Sequence, residues 1–188
     1  TGDKNNFCDE DSKLKPISKY AKDKVEIEKE LIKKSNFISL RLATVFGMSQ
    51  RMRMDLLVND FVYRALREKV ILLYEGGFKR NYIHVADVAR VFIHSIENYK
   101  NMKNNIYNVG LSNANLSKYE LCMIIKKFIP DLKIIEDKTK KDPDQRNYLV
   151  SNRKIEKTKF KAKFSIQDGI RELIKGYNTL SRYKYGNI

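Results

Sequence analysis

The sequence predicts an α/β fold, and three observations predict it. Residues 20–34 carry Val25, Ile27, Leu31 and Ile32 at helical spacing, behind Ser18, a residue type that caps helix N-termini. A β-type run follows at 37–42 and continues through Ala43, Thr44, Val45 and Phe46 to a stop at Gly47. The same order, helix then strand, returns at 55–69 and 70–74. A helix followed by a mostly buried strand is half of a βαβ unit, the building block of parallel sheets; the other half would lie before Thr1.

The elements follow in order. Residues 1–16 read as an irregular segment. Residues 48–54 read as a loop with two arginines, Arg51 and Arg53, for which a solvated place is favoured over contact with a phosphate. The helix at 55–69 turns Leu56, Leu57, Phe61, Val62, Ala65 and Leu66 inward. After the strand at 70–74, Gly76 and Gly77 turn the chain into a short strand at 81–85. The helix at 87–99 sets Val88, Ala89, Phe92, Ile93 and Ile96 at helical spacing, with Asp87 at its positive end. A strand at 106–110 ends in a turn. Ser117 and Glu120 form a capping box opening a helix that Pro130 closes. A strand at 133–136, a polar loop at 141–146, a helix behind a second capping box at Ser165–Asp168, and a frayed tail after 180 complete the reading.

Composition narrows the class. The chain has 188 residues, 42% hydrophobic and 32% charged, which describes a globular protein with room for one sizeable core. No apolar run approaches the roughly 18 residues that a membrane span needs, so no membrane partner is expected. Cys8 and Cys122 stand far apart, without metal-ligand spacing, and read as reduced thiols of a cytoplasmic protein. No metal site is expected. The net charge of +15 has two readings: a surface for nucleic acid or another polyanion, or lysines spread over solvated faces by codon usage. The lysines are scattered and no nucleic-acid motif accompanies them, which favours the second. A non-catalytic basic binding module remains the alternative reading.

The chemistry concentrates at Tyr20-Ala21-Lys22-Asp23-Lys24. On a helix, Tyr20 and Lys24 share one face, with Cβ atoms about 5–6 Å apart. A free phenol titrates near 10, and an ammonium beside it favours the phenolate. The pair suits a step in which a proton leaves a hydroxyl as hydride leaves the adjoining carbon.

Further stretches fall in a telling order: Leu40 to Gly47 (LRLATVFG), Arg80 to Ala89 (RNYIHVADVA), Ile106 to Gly110 (IYNVG), and Asp144 to Ser151 (DQRNYLVS) followed by Lys154. With the Tyr20–Lys24 motif, they resemble the later half of an extended short-chain dehydrogenase/reductase, in the NAD-dependent nucleotide-sugar epimerase/dehydratase family. The resemblance implies the C-terminal part of a Rossmann-type parallel sheet, in residues 1–46 and 81–110, interleaved with a smaller α/β substrate-binding lobe in 47–80 and 111–188.

It also implies roles. Tyr20 would be the acid–base, and Lys24 would hold the nicotinamide ribose and act with it in catalysis. Thr44, Val45 and Phe46 would lie beside the nicotinamide of NAD, which is expected ahead of NADP. Arg80 and Arg146 would clamp the diphosphate of a nucleotide-sugar substrate, a task suited to a planar fork of donors. Asp87 would be structural, and His84 a satisfied core histidine. Thr44 stands where many relatives carry an asparagine that contacts the sugar phosphates. The glycine-rich turn that binds the dinucleotide pyrophosphate has no counterpart in this sequence. The chain is therefore expected to be an incomplete part of the enzyme, inactive alone, with epimerisation, 4,6-dehydration and reduction all open. Homodimerisation through the 20–34 helix, a common arrangement in the family, is a further implication.

Overall fold

Helix α1 (Lys19–Ile32) begins at the expected cap: the Ser18 hydroxyl accepts the Ala21 N–H at 3.2 Å. The computed structural model describes residues 7–137, 139 and 147–179. From α1 a short connection leads to β2 (Ile38–Leu42), so the C-terminal end of the helix meets the start of the strand. The helix consequently runs antiparallel to β2, and its N-terminal end, with Tyr20, points toward the strand's carboxyl end. One polar clasp holds the two together. Arg41 on β2 grips Glu28 through Nε at 2.9 Å and Nη2 at 2.6 Å, and Ser39 donates to the same carboxylate at 3.0 Å.

That clasp has a pH signature. Burial pushes the Glu28 carboxyl up, but the Arg41 hydrogen bond and charge and the Ser39 hydroxyl outweigh it, so the group sits below its ordinary value. A depressed carboxylate stabilises the fold above its unfolded value, and that stability fades as pH falls through the folded value. Urea midpoints of the wild type should fall more steeply than those of Glu28→Gln between roughly pH 6 and pH 3. Parallel slopes would refute the clasp as a source of stability.

The α/β expectation holds, with mostly parallel pairing. β2 pairs with β6 (Asn105–Val109) in parallel, Leu42 opposite Val109. β3 (Thr44–Phe46) pairs in parallel with β5 (Lys79–His84), which pairs antiparallel with β7 (Asn115–Ser117). β4 (Val70–Tyr74) and β8 (Lys133–Asp137) form a third parallel pair. Side chains alternate across β5: Tyr82 enters a larger core, and Ile83 enters a second one with Val91, Tyr107, Val109 and Ile155. The larger core packs α2 (Leu57–Arg67), α5 (Lys118–Phe128) and α7 (Ile166–Thr179) around Val62, Ile125, Leu173 and their neighbours. Both capping boxes form. Ser117 and Glu120 exchange both bonds at the start of α5, and the Ser165 hydroxyl accepts the Asp168 N–H while Asp168 takes the Ser165 N–H.

Several expectations need correction. The irregular reading of 1–16 misses β1 (Phe7–Cys8), which pairs in parallel with β9 (Leu149–Val150). A two-residue strand has too little sequence for an alternation to show, and its partner is remote in the chain. β9 is itself held by a side chain: the Asn115 amide accepts the Val150 N–H and donates to its carbonyl, replacing a strand neighbour. Of the apolar residues expected at helical spacing in 87–99, most face outward. In α3 (Val85–Glu97) Asp87, Val91 and Ser95 are buried and Val88 packs against the second core, whereas Phe92, Ile93 and Ile96 are 51%, 56% and 75% exposed. Ile27, Leu31 and Ile32 of α1 are likewise exposed. Both helices carry apolar residues on more than one face, and periodicity alone does not say which face is covered. Tyr119 on the first turn of α5 is exposed, while Tyr107 of β6 is buried. Short helices α4 (Tyr99–Met102) and α6 (Arg153–Lys157) were not anticipated. The loop at 141–146, with Arg146, and the tail after 180 lie outside the described residues.

Candidate active site

Tyr20 and Lys24 share a face of α1 as the spacing requires, the Lys24 ammonium 5.5 Å from the centre of the Tyr20 ring. The tyrosine is 71% exposed, on the first turn of the helix. Eight residues separate it from Glu28, roughly 12 Å of helix, so it projects past Arg41 toward the carboxyl end of β2. There Ala43 donates its N–H to Val109 and the chain passes into β3. In open α/β sheets, ligands bind beyond the carboxyl ends of parallel strands.

The next residues stand on that ground. Thr44 lies opposite Tyr82 in the β3–β5 pair, so the two side chains share a sheet face, and Arg80, two residues before Tyr82, points the same way. The strand geometry thus sets Thr44 and Arg80 on one face within roughly 7 Å of strand length. Arg80 is 4% exposed, a buried arginine on a strand with neighbours on both sides rather than a charge on a sheet edge. Val45 points to the second core. The Phe46 side chain is committed to the larger core, edge-on to His84 at 5.4 Å between ring centres, so only its backbone can face a ligand.

Beyond β3, Gly47 takes φ +119, a conformation that a side chain rarely adopts, and a Cβ there would stand 2.6 Å from His84 Nε2. The connection to α2 is fixed from beneath. Asn59, buried in the first turn of α2, accepts the Gly47 N–H through Oδ1 at 3.1 Å and donates from Nδ2 to the Arg53 carbonyl at 2.9 Å. Met52 is buried, leaving Arg53 outside, where its fork holds Asp55 at 2.7 and 2.5 Å. Hydrogen bonds to Asp55, then its charge, hold the Arg53 guanidinium above its ordinary value, and attraction from Tyr20 adds to them.

Behind this surface, His84 is the satisfied core histidine that the sequence suggests. Its Nδ1 accepts the Ala86 N–H at 3.2 Å, which leaves Nε2–H to donate to Glu172 at 2.5 Å. Asp87 is structural as well, fully buried and accepting the N–H groups of Lys163 and Phe164 at 2.9 Å while Arg90 donates to it at 2.5 Å. Cys122 is buried, and burial pushes its thiol up to about 12, against a small opposing pull from Lys118, so it is no nucleophile at neutral pH. Among the described residues no cluster of His, Cys, Asp and Glu could hold a metal ion, and no helix is long and apolar enough to cross a membrane. Sequence reasoning missed Asn59 and Glu172. The signal for Asn59 was present: an amide one residue from Val58 and three before Val62, within an otherwise apolar stripe.

Residues 2–110 match the profile described as the NAD dependent epimerase/dehydratase family. Among solved structures, the chain is similar to the dTDP-glucose 4,6-dehydratase of Bacillus anthracis in complex with NAD, at 20% identity and a TM-score of 0.81, covering 97% of this chain and 59% of that one. It is similar to a UDP-glucuronic acid 4-epimerase from Bacillus cereus at 19% identity and a TM-score of 0.80, covering 95% and 58% of the two chains. A UDP-glucose 4-epimerase from Thermotoga maritima follows at 20% identity and a TM-score of 0.71, covering 90% and 59%. The chain spans less than two thirds of the length of each. The shared architecture is Rossmann-type α/β.

Proposed function

This chain belongs to the NAD dependent epimerase/dehydratase family, and from that premise we propose that it forms the catalytic and sugar-binding part of an NAD-dependent enzyme acting on a nucleotide-activated sugar. The observation that carries the reading is the Tyr20–Lys24 pair, open to solvent at the end of α1 that faces the carboxyl end of β2.

The residues present suit a nicotinamide ribose at this place: an ammonium beside an exposed phenol, with Thr44 on the next strand. Lys24 would hold the ribose hydroxyls, and Thr44 to Phe46 would offer backbone to the carboxamide. The bound cofactor supplies reversible acceptance of hydride from a ring carbon. Tyr20 takes the proton of the hydroxyl on that carbon, and Lys24 stabilises the negative charge that develops on the tyrosine oxygen. Arg80, already on the face that Thr44 shares, would hold the substrate diphosphate, with Arg146 as its partner. Epimerisation and dehydration begin with this transient oxidation, and simple reduction uses the same Tyr20 and Lys24 with hydride and proton moving the other way. The proteins of similar fold include a dTDP-glucose dehydratase and UDP-sugar epimerases, which supports a nucleotide sugar as the substrate class.

In this reading, residues 1–46 and 81–110 serve the cofactor and residues 47–80 and 111–188 the sugar nucleotide; the two cores follow that division only in part, since Phe46 and Tyr82 lie in the larger core and Ile155 and Phe160 in the second. Turnover belongs to the full-length protein, and the 188-residue chain alone is inactive. The test is incubation of full-length protein with NAD and either UDP-glucose or dTDP-glucose, followed by mass spectrometry and proton NMR of the sugar. An epimer, or a product lighter by one water, is the expected result. Failure to bind NAD, together with salt-sensitive retention on RNA, would replace the enzyme by a basic binding module.

A further inference from the structure

We propose that Asn59 is a positioning residue of this site, locking the 47–55 connection, which leaves the carboxyl end of β3, so that Arg53 projects outward there as a contact for the sugar nucleotide. The inference rests on the functional reading above and goes beyond it to a residue that touches no ligand.

The geometry is that of a three-way joint. The Asn59 side chain binds both ends of the connection, Gly47 N–H at its start and Arg53 C=O near its end. Its own backbone carbonyl accepts the Tyr177 hydroxyl at 3.1 Å, which ties the joint to α7. Between those ends the connection is held again, by the Ser49 hydroxyl on the Arg51 carbonyl at 2.7 Å and by Met52 in the core. An amide is required because one end offers a donor and the other an acceptor. A carboxylate would face the Arg53 carbonyl with repulsion, and an apolar side chain would leave the buried Gly47 N–H and the half-buried Arg53 carbonyl without this partner.

The consequence falls on Arg53. With Met52 pinned inward and the Arg53 carbonyl tied to Asn59, the Arg53 side chain projects outward from the connection that leaves the carboxyl end of β3. Its planar fork is now engaged with Asp55, an exposed partner that an oxygen-rich ligand can replace. Such a contact orients the sugar without joining in proton transfer, so its loss should weaken binding more than it slows chemistry.

Three variants decide the matter: Asn59→Asp, Asn59→Leu and Arg53→Met. In the full-length protein, Arg53→Met and Asn59→Asp should each raise KM for UDP-glucose or dTDP-glucose, whichever is turned over, by about tenfold or more. The change in kcat should stay within about threefold, and NAD affinity should not change. Arg53→Met, at an exposed site, should leave Tm unaltered. In the present chain, Asn59→Asp and Asn59→Leu should speed hydrogen exchange at Gly47 and through 48–54 by about tenfold, with exchange in α5 unchanged. Wild-type KM in Arg53→Met overturns the contact, and unchanged exchange in the Asn59 variants overturns the lock. If the wild type converts neither sugar, the functional reading fails, and with it the role of Arg53, while the exchange measurement still decides the lock.

Discussion

Replacing Tyr20 by phenylalanine in the full-length protein is expected to cut turnover by about a hundredfold to ten-thousandfold, the range over which a positioned acid–base acts, while NAD binds as before. Phenylalanine keeps the ring, which the Lys24 ammonium faces at 5.5 Å, and removes only the oxygen that accepts the proton. Tyr20 is exposed at a helix end, so stability should change little. The expected signature is therefore a fall in kcat with unchanged NAD affinity and unchanged Tm. Lys24→Met should lower kcat and weaken NAD binding together, because the ammonium has two tasks. Wild-type turnover in Tyr20→Phe would remove Tyr20 from the mechanism, and a parallel loss of NAD affinity would make it a binding residue instead.

The second large effect is on stability. Asp87→Ala should destabilise the fold by about 3–5 kcal/mol, as expected when one partner of a buried charged network is removed. Asp87 is fully buried on the inner face of α3, and its two oxygens receive the N–H groups of Lys163 and Phe164 as well as the Arg90 guanidinium. Removing the carboxylate strands two backbone donors and releases the segment that leads from Phe160, in the second core, to the cap of α7 at Ser165. Asp87→Asn retains one acceptor oxygen and should cost about half as much. Urea unfolding of the three proteins at neutral pH measures the difference. A loss of less than about 1 kcal/mol for Asp87→Ala would mean that water satisfies those donors.

Much of this was readable in the sequence, for local reasons. Caps and capping boxes are contained within four residues, so Ser18, Ser117 and Ser165 identified three helix starts. The strands at 38–42, 70–74 and 105–109 are long enough to show as β-type runs, and Tyr20 with Lys24 needs only one helical turn. What escaped depends on distance. β1 and β9 are two residues each and exist because they meet. The outward face of α3 is as apolar as a packed one, and only the tertiary arrangement distinguishes Val91 from Phe92. Arg80 was legible as an arginine of the site but not as a buried one, since its surroundings are built by parts of the chain remote in sequence, among them β7, where Leu116 pairs with it. Asn59 shows in the sequence only as a polar interruption; its role comes from the loop that folds back onto it.

The strand pairings also govern how the chain reaches its fold. β1 must wait for β9, β2 for β6 and β4 for β8, and each of these parallel pairs joins segments separated by whole helices. Such contacts make folding slow, because long loops must close before pairing stabilises them. During synthesis the edge of β2 emerges well before Asn105–Val109, beside Ile27 and Leu31 of α1, which are exposed in the finished fold as well. For that interval the nascent chain exposes an unpaired strand beside an apolar helix face, the combination that invites association between chains. Expression yield should therefore respond to translation speed and to chaperones more than to the equilibrium stability of the finished fold.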